Sequence, residues 1–156
     1  MFLENFAPGT IERLGFSYEE IARLNPRLVY CGLKGFMPGP YETRPALDEV
    51  VRMVAGLAYM TSPLGQPLPA GASVVDNLGG TYGAVAILTA PYEREKTGKG
   101  RRVMATLYGS TAFLMGQHMA VCAIARKPSS PMPNRVSACA IYDRSRPRRG
   151  GWSLWG

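Results

Sequence analysis

Ser73-Val74-Val75-Asp76-Asn77-Leu78-Gly79-Gly80-Thr81-Tyr82-Gly83 is the stretch on which the reading of this chain turns. A short polar break carrying a carboxylate opens a run of small residues, and an apolar helical pattern follows. Asp before a helix is among the commonest caps, worth about 1 kcal/mol. The positive end of a helix also favours a negative charge, which suits a carboxylate nucleophile. On spacing alone the cap is the plainer reading, and the choice rests on what surrounds it.

Downstream, the helix is expected to run to about Lys96-Thr97-Gly98-Lys99-Gly100, a glycine terminus with basic residues in the last turn. Pro91 lies inside it and predicts a kink or an early end, because proline removes a backbone donor and clashes with the preceding turn. Residues 101–108 read as a strand and 111–125 as a second apolar helix, with Gly109-Ser110 as the break between them. Upstream, Asn5-Phe6-Ala7-Pro8-Gly9 reads as a turn, followed by a short helical pattern ended by Gly15. Ser17-Tyr18-Glu19-Glu20 reads as a capping box for a helix through Leu24, which Asn25-Pro26 stops. Residues 28–33 are a short apolar run that fits a strand buried on both faces. Residues 35–46 form a loop with three prolines. Residues 47–60 return to helix, with Leu47, Val50, Val51, Val54 and Leu57 on one face. Helix followed by buried strand suggests a βαβ unit, so the fold class is α/β.

At 156 residues, with 46% hydrophobic and 19% charged residues, the chain is expected to form one globular domain. Residues 143–156, with Arg144, Arg146, Arg148 and Arg149 against Asp143, hold +3 of the net +7. The body is therefore mildly basic and shows no basic stripe with interleaved aromatics, so no nucleic-acid partner is expected. Three cysteines without metal-type C-x-x-C spacing predict neither a metal site nor a disulfide framework. Together with Glu4 where a leader would carry lysines, they point to the cytoplasm. Residues 103–125 contain no Asp, Glu, Lys or Arg. Their Thr106, Ser110, Thr111, Gln117 and His118 argue against a membrane span.

Taken in order, Glu4-Asn5-Phe6-x-Pro8-Gly9, Arg13-Leu14-Gly15, Asn25-Pro26-Arg27-Leu28-Val29-Tyr30, Lys34-Gly35-Phe36, Gly39-Pro40-Tyr41, Asp76 with its small-residue helix, and the segment from Tyr92 through Glu93-Arg94-Glu95-Lys96 to Gly100 resemble the family III CoA-transferases, the CaiB/BaiF or formyl-CoA transferase-like proteins. The resemblance runs from Glu4 to about Tyr142. It implies that Asp76 is the nucleophile, attacking an acyl-CoA thioester to form a mixed anhydride and free CoA thiolate, with a carboxylic acid as acceptor. CoA thioester is then a substrate, and no bound cofactor is implied. Amides of the first helical turn would stabilise developing oxyanions, and Gly79 and Gly80 would allow close approach to the backbone.

Asn5, Phe6 and Arg13 match positions that help hold CoA in the family, and Asp48 is the polar candidate in the 44–48 loop. Ala7 departs from the arginine common at its place. Leu47 stands where the racemase branch has a histidine, and leucine cannot transfer a proton, so racemisation is not expected. His118, in an apolar helix, reads as a structural histidine rather than a base. Family members are about twice this length or more and form interlinked homodimers. Residues 1–142 are accordingly expected to be a central segment, lacking most of the Rossmann-like N-terminal half and the C-terminal region. Residues 143–156 read as a basic tail outside the family pattern, from a frame change or truncation. By itself the short chain is expected to be inactive; a non-catalytic subunit that completes a site with a partner chain is the alternative.

Overall fold

Three short parallel strands, β1 (Phe2–Glu4), β2 (Tyr30–Lys34) and β3 (Arg102–Thr106), lie side by side in that order in the computed structural model. The structure describes residues 1–63, 65–68, 70–131, 143–145 and 153–155. The fold is α/β, as expected. Between β1 and β2 come α1 (Thr10–Arg13) and α2 (Tyr18–Leu24). Between β2 and β3 come α3 (Asp48–Val54), α4 (Leu57–Thr61) and α5 (Val74–Thr97), and α6 (Leu107–Ala125) follows β3 directly.

Side chains alternate across a strand, so Tyr30 and Leu33 face opposite sides of the sheet. On the Tyr30 side, Phe2 stacks on Tyr30 at 5.3 Å between ring centroids and Tyr18 meets Tyr30 edge-on at 5.7 Å. On the Leu33 side lies α5. A Cβ on Gly83 would stand 2.8 Å from Leu33 Cδ2, and one on Gly79 would stand 2.7 Å from Leu107 Cδ2. Gly83 and Gly79 set the helix close to the sheet, while Gly80 faces open space. Phe36, Val51, Leu57, Met60, Val75 and Met115 form the core beyond the sheet edge, drawn from the segment after β2 and from α3, α4, α5 and α6.

The capping box of α2 forms as the sequence predicts. Ser17 Oγ accepts from the Glu20 amide, and the Ser17 amide donates to Glu20 Oε2 at 3.1 Å. Helix α5 runs through Pro91 without ending, and stops at Gly98 (φ 71°), whose amide donates to Arg94 O at 2.8 Å. The predicted helix over 47–60 is two helices, because Gly56 at φ 82° turns the chain. Its expected apolar face also differs: Leu47 and Val54 are 65% and 57% exposed, whereas Asp48, Val51 and Arg52 are buried.

The second apolar helix starts four residues earlier than the glycine-serine pair suggests. Thr106 caps it, its hydroxyl accepting from the Gly109 amide at 3.1 Å, and Ser110 Oγ donates to Thr106 O at 2.8 Å. The uncharged stretch 103–125 is thereby split between β3 and α6. Among the described residues no helix is long and apolar enough to cross a membrane. In the tail, β4 (Asp143–Ser145) pairs antiparallel with β5 (Ser153–Trp155), order that the aperiodic sequence did not suggest. The strand predicted over 137–142 lies outside the described residues.

Candidate functional site

In a parallel sheet all strands end on one edge, and ligands of open α/β sheets bind outside those carboxyl ends. Here that edge is marked by Glu4, Lys34 and Thr106. The N-terminal turns of α5 reach the same edge, since Gly79 packs on Leu107, just past β3, while Gly83, one turn further on, packs on Leu33 and Ala105. Asp76 is thus near the carboxyl-end edge of the sheet.

Glu4 is buried, and Lys34 Nζ donates to its Oε2 at 2.7 Å and to Phe6 O at 2.8 Å. The Phe6 amide donates to the same Oε2 at 3.0 Å. Gly32, directly opposite Glu4 in the ladder, leaves the space the carboxylate occupies: a Cβ there would lie 3.0 Å from Oε1. This pair shapes the turn that presents Asn5 and Phe6, both exposed. Arg13, in α1, is exposed and donates to Thr10 Oγ1 at 3.0 Å. Burial, and next the negative charge of Glu4, push the Tyr30 hydroxyl up to about 12.

Asp48 sits differently from the other candidates. Its Oδ2 accepts from the amides of Val75 at 2.9 Å and Asp76 at 3.0 Å, and its Oδ1 is ion-paired with Arg52 one turn on. Arg52 in turn donates to Ala70 O at 3.0 Å and Ala72 O at 3.1 Å. Asp48, placed in the CoA cradle from the sequence, is therefore found inside the protein as the cap of α5. Ser73 stands at the N-cap position, yet its side chain makes no cap hydrogen bond.

Asp76 is the third residue of α5 and is exposed. It is not the cap. The first-turn amides expected to meet an oxyanion are all engaged: Val74 N–H with Ala72 O, Val75 and Asp76 N–H with Asp48, and Asn77 N–H with Ser73 O. Donors to an oxyanion must come from outside this turn. In the 44–48 loop, the Arg44 guanidinium lies 4.4 Å from the centre of the Tyr41 ring, and Tyr41 packs near Phe36.

Three residues of the edge escaped the sequence reading as actors: Glu4, Lys34 and Arg52. Glu4 and Lys34 are 30 positions apart, so no local pattern joins them. The Asp48–Arg52 spacing of four was visible as an i,i+4 ion pair, although such pairs ordinarily face solvent. Among the described residues no group of three or more His, Cys, Asp or Glu is arranged to hold a metal ion.

The profile of CoA-transferase family III matches residues 1–154. The chain belongs to that family. Acetyl-CoA:oxalate CoA-transferase of Acetobacter aceti is 39% identical over 145 residues, 90% of this chain and 37% of that protein. Formyl-CoA:oxalate CoA-transferase of Rhodopseudomonas palustris (strain TIE-1) is 41% identical over 108 residues, 69% of this chain and 25% of that protein. Among solved structures, a CaiB/BaiF family protein from Brucella suis superposes with a TM-score of 0.78 at 28% identity, covering 83% of this chain and 35% of the other. Rv3272 from Mycobacterium tuberculosis gives 0.72 at 33% identity, covering 78% and 35%. This family III chain therefore spans between about a quarter and little more than a third of the length of the curated relatives it matches.

Proposed function

We propose that this chain carries the acyl-accepting aspartate of an acyl-CoA:carboxylate CoA-transferase, and that Asp76 is that residue. One observation carries the reading: of the two carboxylates at the α5 N-terminus, Asp48 is buried and committed to backbone amides, whereas Asp76 is exposed and open to an incoming thioester. A carboxylate oxygen of Asp76 attacks the thioester carbonyl, the C–S bond breaks, and CoA leaves as thiolate. The thiolate then attacks the aspartyl carbonyl of the mixed anhydride, giving an aspartyl-CoA thioester and releasing the donor acid. The acceptor carboxylate displaces the thiolate from that thioester to form a second mixed anhydride, and the thiolate attacks the acceptor's carbonyl to give the new acyl-CoA and free Asp76. Covalent catalysis of this kind divides one hard transfer into easier steps.

Asn5, Phe6 and Arg13, exposed on the turn and helix after β1, are the CoA-facing candidates, Arg13 as a partner for phosphate. A small dicarboxylate, the oxalate in the relatives' names, is the first acceptor to try. The working protein is a cytoplasmic homodimer with no membrane or nucleic-acid partner. Residues 1–142 form its central segment, and this chain alone does not turn over, since most of the length of its relatives has no counterpart here. The test is isotope exchange between acyl-CoA and free acid with the purified chain. Exchange that disappears in Asp76→Ala establishes the aspartate and rejects the expectation of inactivity. Exchange that survives Asp76→Ala sinks the assignment. If the chain alone is silent, exchange restored by a co-expressed complementing chain, and lost again in Asp76→Ala, would establish the same residue.

A further inference from the structure

We propose that Asp48 and Arg52 are positioning residues for Asp76: together they clamp the first turn of α5 and so fix the direction from which its exposed carboxylate meets substrate. The inference rests on the reading of Asp76 as acyl acceptor, but its physical basis is independent of that reading. A helix N-terminus leaves four amides without partners, and a local Ser, Thr, Asn or Asp ordinarily satisfies one of them. Ser73 is in place to do so and does not. Two of the amides, those of Val75 and Asp76 itself, are held instead by a single oxygen of a carboxylate 27 and 28 positions away.

Arg52 fixes that carboxylate from behind. Its guanidinium pairs with Asp48 and at the same time holds the carbonyls of Ala70 and Ala72, the chain leading into α5. One planar fork thus ties the carboxylate to the incoming strand of backbone, an arrangement lysine cannot reproduce. Both side chains are almost fully buried, at 3% and 4% exposure. Buried ion pairs are a poor source of stability, since well-packed apolar residues of similar volume are often as stable or more so. The pair is explained by what it holds in place: it anchors the amide nitrogen of Asp76, and through it the Cα from which the reacting carboxylate projects.

The experiment is amide hydrogen exchange on the full 156-residue chain, read residue by residue by NMR. In Asp48→Asn the amides of Val75 and Asp76 should exchange at least about tenfold faster, the fold-change of losing about 1.4 kcal/mol from a charge-assisted bond. The amide of Asn77, held by its own helix at Ser73 O, should not change, which separates release of the clamp from unfolding. Arg52→Lys should fall between the two. Unchanged exchange of Val75 and Asp76 in both Asp48→Asn and Asp48→Ala overturns the clamp.

The functional arm is acyl transfer to Asp76, in the chain alone or completed by a complementing chain. Misplacement by about an ångström costs on the order of a hundredfold in rate, so Asp48→Asn should lower kcat by about that factor and leave KM for acyl-CoA unchanged. Released amides with unchanged kcat overturn the positioning role. A wild type that stays silent even with the complementing chain, while its two amides are protected by Asp48, upholds the clamp and counts against the transferase reading instead.

Discussion

Lys34 Nζ lies 2.7 Å from Glu4 Oε2 and joins β1 to β2 at their carboxyl ends. The carboxylate is 1% exposed and the lysine 14%, so the pair is shielded from salt and water. It also holds the backbone of the Asn5-Phe6 turn through the amide and carbonyl of Phe6.

Lys34→Met should therefore cost about 3 kcal/mol, because it leaves a buried carboxylate without its counter-charge. Replacing both partners, with Glu4→Gln added, should cost less than the sum of the single changes. Urea unfolding of the four proteins measures this; strict additivity would show that the pair is not coupled.

Tyr30 supplies a pH test. Its hydroxyl titrates near 10 in the unfolded chain and at about 12 in the folded one, chiefly through burial and then through Glu4. Below pH 10 both states keep the proton. Between 10 and 12 the unfolded state has lost it while the folded state retains it, so stability falls with rising pH across that window. Tyr30→Phe should remove this part of the decline, and tyrosinate absorbance of the folded wild type should show one ring titrating late.

Two glycines predict opposite outcomes on substitution by alanine. Gly80 is exposed within α5 with nothing near its absent Cβ, so Gly80→Ala should stabilise by about 1 kcal/mol through helix propensity. At Gly100 a Cβ would stand 1.9 Å from Leu28 O, backbone that cannot step aside. Gly100→Ala should cost at least about 2 kcal/mol, as overpacking does. Thermal denaturation of the two variants beside wild type decides the signs.

Cys122 and Cys31 should differ in reactivity. The Ser129 hydroxyl and amide both approach the Cys122 sulfur, at 3.5 and 3.3 Å, and lower the pKa of its thiol. Cys31 is fully buried, and burial followed by the charge of Glu4 pushes its thiol up. Iodoacetamide at pH 8 should label Cys122 well ahead of Cys31, read by peptide mass mapping, and Ser129→Ala should narrow the gap. Equal labelling of the two in folded protein would contradict this arrangement.

Where a feature depends on neighbours a few residues apart, it was legible in the chain. The capping box Ser17–Glu20, the buried strand around Tyr30, the glycine stop at Gly98 and the place of Asp76 near a helix start all rest on local propensity and hydrogen bonding. Family membership was legible too, because it lies in short motifs kept in order from Glu4 to Gly100, and the family match extends over residues 1–154. Long-range choices were not. Periodicity placed Leu47, Val50 and Val54 inward, but the Asp48–Arg52 pair takes the buried face, since the open end of α5 offers amides that only a carboxylate can satisfy. Glycine and serine at 109 and 110 suggest a break, but Thr106 caps the helix across them. The sequence by itself determined the α/β class, the succession of helices and strands from α1 to α6 with α3 and α4 read as one, and the acid to be tested. Tertiary structure alone decided which carboxylate is buried and which is exposed, because that depends on where unpaired backbone groups of one element meet the charged side chains of another.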